Sequence, residues 1–187
     1  MSSHYDKTFE NQDFSSGIAD IEFEACTFQN CSFENSEFKG SKFINCEFIE
    51  CNWSNAKLSK VSFQNAAFIS CKMIGLQFDL CNPFNLSFEF NDSILNHSSF
   101  YGISTRSTQL INCQLQEVDF SEANLSSSLL KNCNLNGAIF DNSNLEKADF
   151  SMATNYVINP DKNRLKGAVF SRENLSGLLQ HSGIVIT

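Results

Sequence analysis

Eight cysteines, three histidines and twenty-one acidic side chains are the residues of this 187-residue chain that could carry chemistry. Thiols and imidazoles at short spacings would hold zinc, a Cys–His or Ser–His–Asp set would make a nucleophile, and converging carboxylates would act as acid and base. The spacings argue against each. Cys26, Cys31, Cys46, Cys51, Cys71, Cys81, Cys113 and Cys133 include no Cys-x-x-Cys pair, and His4, His97 and His181 are scattered. No glycine-rich phosphate loop is present. The expectation is a protein that is not an enzyme and takes no cofactor and no metal.

What those cysteines share is a slot in a repeat. From Phe23 to Phe78 a large apolar residue recurs every fifth position: Phe23, Phe28, Phe33, Phe38, Phe43, Phe48, Trp53, Leu58, Phe63, Phe68, Met73 and Phe78. Two residues before each stands a small or apolar partner, and the cysteines occupy that partner slot. Period five fits neither a helix nor a strand, so a repeat architecture comes first. Residues two apart in extended chain point to the same side, so each unit is a very short strand with one small and one large inward side chain, followed by a corner. Four units close a square coil of about twenty residues, and coils stack at roughly 4.8 Å. Buried thiols then act as small hydrophobes. The asparagines two residues after a large slot, Asn30, Asn35, Asn45, Asn55, Asn65, Asn112, Asn132 and Asn142, are corner residues, since Asn tolerates left-handed backbone.

The repeating units Ala66–Ser70, Ala123–Ser127, Ala138–Asn142 and Ala148–Met152 resemble the A-(D/N)-(L/F)-x-x motif of the pentapeptide-repeat family, and the resemblance runs from about residue 14 to 170. It implies an all-β fold, a right-handed quadrilateral parallel β-helix of about eight coils, closed by a short C-terminal helix and an apolar tail. Residues 1–13 are expected as a lead-in and 14–170 as the β-helix. An irregular region is expected at 79–108, where Pro83 takes a large slot and the phase shifts by two between Phe88 and Phe90, and an excursion at 153–164 around Asn159-Pro160-Asp161. Residues 171–187 are expected to cap and dimerise, with Ser171 opening a helix over 172–181 that stops near Gly183. Leu175, Leu178, Leu179, Ile184 and Ile186 are its candidate dimer contacts.

Charge narrows the partner. The net charge of −8 disfavours direct nucleic-acid binding, and no apolar run is long enough to cross a membrane, so a cytoplasmic location is the default expectation. Folded on a twenty-residue coil, Asp119, Glu122 and Asp141 share a face with Glu117 at its edge. The family resemblance is nearest the quinolone-resistance subgroup that interacts with type II topoisomerases, and within it the loopless mycobacterial form, because Phe23 to Phe78 is uninterrupted. It implies a DNA-mimicking homodimer acting on DNA gyrase or topoisomerase IV. The alternative is an interaction scaffold with another protein partner.

Overall fold

The computed structural model describes residues 2–185. Short strands stack in parallel into a four-sided β-helix. One wall is a nine-stranded sheet of Thr8–Glu10, Thr27–Gln29, Glu47–Ile49, Ala66–Ile69, Phe88–Asn91, Gln109–Ile111, Leu129–Lys131, Asp149–Phe150 and Val169–Phe170. A second is a four-stranded sheet of Ser2–Tyr5, Ile21–Glu24, Lys42–Ile44 and Ser62–Gln64. Single bridges build the other two, one through Ser32, Asn52, Lys72, Ile94, Gln114, Asn134 and Thr154, the other through Gln77, Ser99, Asp119 and Ile139.

The inward slots are filled as the repeat requires. Every large residue from Phe23 to Phe78 is buried to 1 % exposure or less. Rings stack from coil to coil, as in Phe28–Phe48 at 4.9 Å and Phe33–Trp53 at 4.0 Å, while neighbours within a coil meet edge to face, as in Phe43–Phe48 at 5.4 Å. Offset stacks and T-shaped pairs are the favoured aromatic geometries, so a tube one side chain wide is packed without a separate core. All eight corner asparagines named above have φ between 51° and 57°, the left-handed region in which Asn is tolerated.

The cysteines do more than fill space. At some corners the carbonyl of the large residue is not closed by the amide three residues on. The small-slot side chain of the next coil takes it instead. Cys31 donates to Phe9 O, Cys51 to Phe28 O and Cys71 to Phe48 O at 3.4, 3.3 and 3.2 Å. Ser93, Cys113 and Cys133 continue the same column to Phe68 O, Phe90 O and Leu110 O at 3.4, 3.5 and 3.2 Å. Ser93 Oγ also accepts the Cys71 N–H at 3.0 Å, while its single proton is shared between Phe68 O and the nearer Asn91 O at 2.8 Å. Reading the thiols as small hydrophobes alone misses this, because the need for a donor is set by the coil below, about twenty residues away.

Three boundaries differ from the sequence expectation. The wall begins at Ser2, inside the expected lead-in: Ser2–Tyr5 pairs with Ile21–Glu24, and Phe9 pairs with Phe28 in a coil of nineteen residues. The two-residue shift lies before Phe88. Lys60 N–H meets Leu80 O twenty residues on, whereas Ala66 pairs with Phe88, twenty-two on. Pro83 and Phe84 turn outward, and Phe88, in a small slot, swings its ring to 5.7 Å from Phe63 and 5.1 Å from Phe78, filling the space they leave. The twenty-residue register is back by Phe90–Leu110, so the irregularity is far shorter than 79–108. Residues 153–164 leave the ladder in their middle: Asn134 pairs with Thr154 and Asn144 with Arg164, but between these ends the wall through Ser99, Asp119 and Ile139 gains no further bridge among the described residues. There Asn163 replaces the thiol bridge, its amide donating to Phe140 O at 2.9 Å and accepting from Ser143 N at 2.8 Å.

The C-terminal helix, α1, covers only Ser176–Leu179 and runs into a tight turn over Gln180–Ser182 that ends at Gly183, φ 68°. Ser171 Oγ accepts the Asn174 N–H at 3.3 Å, so it caps a turn that precedes the helix. Gly177 explains the brevity. A Cβ there would lie 2.1 Å from Tyr156 O, so the segment bends to seat its glycine on the last coil. Ile184 and Val185 form no strand.

Candidate partner-binding faces

The backbone brings the expected acids together. Asp119 is outward in the wall that stacks Ser99, Asp119 and Ile139, and Glu117 and Glu122 occupy the corners on either side with φ of 54° and 57°. Asp141 lies one coil above, its carbonyl accepting the Glu122 N–H at 2.8 Å. A glutamate in left-handed backbone costs roughly 1–2 kcal/mol that glycine avoids.

Their charges are not all free. Lys162 Nζ is 3.2 Å from Asp141 Oδ1, and His97 Nδ1 is 3.2 Å from Glu117 Oε2, an ion pair only when the imidazole is protonated. Asp119 Oδ1 accepts the Ser121 N–H at 2.8 Å, closing a local turn. Hydrogen bonding to Glu122 pushes the Tyr101 phenol up from its ordinary value, with the nearby carboxylate charge adding to it. The sequence reading missed Lys162 and Tyr101 at this face. Both follow from stacking positions, since each lies about one coil from the acid it meets.

The same wall is not purely polar. Ile139 stands directly above Asp119 and is 52 % exposed. It borders a cavity of about 370 Å³ shared with Asp141, Val157, Asn159, Lys162 and His181. Among the described residues, no group of three or more His, Cys, Asp and Glu is placed to hold a metal. No helix among them is long and apolar enough to cross a membrane.

At the C-terminal end, Leu178 is half-buried against the last coil, while Leu175, Leu179 and Ile184 are 42, 39 and 56 % exposed. Of the expected dimer contacts Leu175, Leu178 and Leu179, Leu178 packs on the last coil beside the close contact of Gly177, which leaves Leu175 and Leu179 outward. Ile186 lies outside the described residues.

A sequence profile described as pentapeptide repeat region matches residues 21–100 and 84–150. A comparison with curated proteins gave no sequence match. Among solved structures, a trypsin-treated form of QnrB1, a plasmid-mediated fluoroquinolone resistance protein, superposes with a TM-score of 0.77 at 18 % identity, covering 100 % of this chain and 92 % of that one. HetL, a pentapeptide repeat protein involved in heterocyst differentiation regulation in the cyanobacterium Nostoc sp. strain PCC 7120, superposes with 0.78 at 13 % identity, covering 99 % and 92 %. These likenesses establish the fold, an all-β right-handed parallel β-helix with one short C-terminal helix. With most of its length matched by the repeat profile and its coils built from five-residue units, the chain belongs to the pentapeptide-repeat family.

Proposed function

We propose that the protein is a non-enzymatic DNA mimic that binds a bacterial type II topoisomerase, DNA gyrase or topoisomerase IV, and modulates it or protects it against inhibitors. The observation that carries this reading is a net charge of −8 on a rod, with the acids concentrated in residues 1–50 and 79–150. Nine rungs at about 4.8 Å give a rod of roughly 38 Å. Two copies joined through Leu175, Leu179 and Ile184 would double that length, enough to lie along a basic DNA-binding saddle. Glu117, Asp119, Glu122 and Asp141 form the acidic face nearest that junction. The likeness to QnrB1 supports the reading at the level of fold.

A second reading is an interaction scaffold for a different protein. It is favoured by the Asp141–Lys162 pair, which withdraws charge from the acidic face, and by the equal likeness to HetL. A gyrase supercoiling assay with the purified protein, with and without a quinolone, separates the two. The mimic changes supercoiling or drug sensitivity in a salt-dependent way, and the scaffold changes neither.

A further inference from the structure

The two ends of the rod are built differently. At the C-terminal end the last coil is covered: Ile158 N–H donates to Gly177 O at 3.0 Å, and Asn174 Nδ2 donates to Ala153 O at 3.2 Å. At the N-terminal end Ser2–Tyr5 and Thr8–Glu10 are the end strands of their sheets, and no described residue lies beneath them.

The ladder shows which groups this leaves unpaired. In the second coil, Thr27 N–H points down to Lys7 O, Ser32 N–H points down to Gln12 O, and Ser32 O accepts from Phe14 N below. Thr8 and Asp13 stand in register with Thr27 and Ser32, so their corresponding groups point out of the rod's end. Inside that edge, His4, Phe9 and Phe14 stack upward on Phe23, Phe28 and Phe33 at 5.0, 4.9 and 4.9 Å. With Ile18 they remain half-buried, so the lower side of the layer is open. Open parallel edges recruit other chains.

Charge selects the occupant. Asp6, Glu10, Asp13 and Asp20 are exposed around this end against Lys7 alone, a local net charge of −3 with His4 neutral. A second copy presenting the same end would bring like charge against like charge, and nucleic acid is repelled for the same reason. A helix cannot pair with the free backbone groups. We infer that the N-terminal end is a docking edge for an extended, basic segment of another protein, which adds a rung beneath Thr8–Glu10 and covers the Phe9–Phe14 layer. This is strand addition with a charged rim for specificity, and it is independent of any action on a topoisomerase.

The test is fluorescence anisotropy of the full chain with a labelled peptide of alternating Lys and Val, about eight residues long, against the same peptide with Glu for Lys. Hydrogen exchange of the complex locates the contact. Thr8→Pro removes a downward N–H and leaves the Thr27–Lys7 bond above it in place. Expected are binding of the basic peptide only, slowed exchange confined to about residues 2–14, and a loss of about tenfold in affinity, near 1.4 kcal/mol, in Thr8→Pro. Glu10→Lys, which keeps the edge but reverses charge, is expected to weaken binding several-fold, and it decides the matter should Thr8→Pro fail to fold. Absence of binding, protection centred on the Asp119 wall, unchanged affinity in folded Thr8→Pro or in Glu10→Lys, or self-association through this end would overturn the inference.

Discussion

Phe48 and Phe68, one coil apart in sequence, stack with ring centroids 4.8 Å apart and planes 10° from parallel. Both are fully buried, and Phe48 also meets Phe33, Phe43 and Trp53 edge-on. Phe48→Ala is therefore expected to cost about 3–5 kcal/mol through lost transfer energy and an unfilled cavity. Urea unfolding measures it, and a loss below about 1 kcal/mol would contradict the packing.

The donor column gives a second expectation. Ser93→Ala leaves the buried Cys71 N–H without its acceptor and the Asn91 and Phe68 carbonyls without the hydroxyl they share, which costs about 1–3 kcal/mol for buried polar groups. Ser93→Cys should recover much of that loss, because Cys51, Cys71 and Cys113 hold the same kind of slot in the same column. Equal urea midpoints for wild type and Ser93→Ala would show that the bridge contributes nothing.

Burial pushes the Cys46 thiol up from 9.0 to about 12. Desolvation also pushes Cys81 up, and Cys51 and Cys113 rise because each shares a hydrogen bond with a neighbouring thiol, Cys71 or Cys133, and is buried. The folded state thus keeps a proton at Cys46 that the unfolded chain releases near pH 9. Its stabilisation is whole below that pH and falls by about 1.4 kcal/mol per unit as the pH rises from 9 towards 12. Urea midpoints should drop between about pH 8 and about pH 10.5, with a shallower drop in Cys46→Ser. A thiol reagent should label few groups in the native protein. Identical pH profiles, or rapid native labelling, would contradict the inward placement.

How far the sequence could be read follows from the range of each interaction. Side-chain direction repeats with the five-residue unit, so Phe23 to Phe78 and their small partners could be placed inward from spacing alone. Register across coils is set by contacts about twenty residues apart. For that reason spacing alone puts the shift between Phe88 and Phe90, although Phe88 already pairs with Ala66. After the break at Asn159-Pro160-Asp161 the Asn163 amide reproduces the thiol bridge, and pairing resumes at Arg164. At the acidic face, stacking arithmetic placed Asp119, Glu122 and Asp141 together. It did not find Lys162, whose partner is fixed by the corner formed at Asn159.

Dimerisation through the C-terminal end predicts a change in mass. Leu179 is 39 % exposed beside Leu175, with Ile184 and Val185 also exposed, and apolar surface at the end of a coil is costly to leave in water. Sedimentation at micromolar concentration should give a homodimer that Leu179→Glu converts to monomer. A wild-type monomer under those conditions would remove the extended rod from the account.

The most direct measurement is inhibition of DNA gyrase supercoiling by the wild-type protein and by a triple variant, Asp119→Asn, Glu122→Gln and Asp141→Asn. The three acids face outward, so the variant should keep a near-native urea midpoint, apart from the loss of the exposed Asp141–Lys162 pair. If the rod stands in for DNA, the wild type inhibits at micromolar concentration, and inhibition weakens as salt screens charge over roughly 8–10 Å. The variant should then inhibit several-fold less at low salt. Unchanged inhibition in the variant would remove this face from the mechanism, and a wild-type protein without effect on gyrase at low salt would contradict the DNA-mimic account.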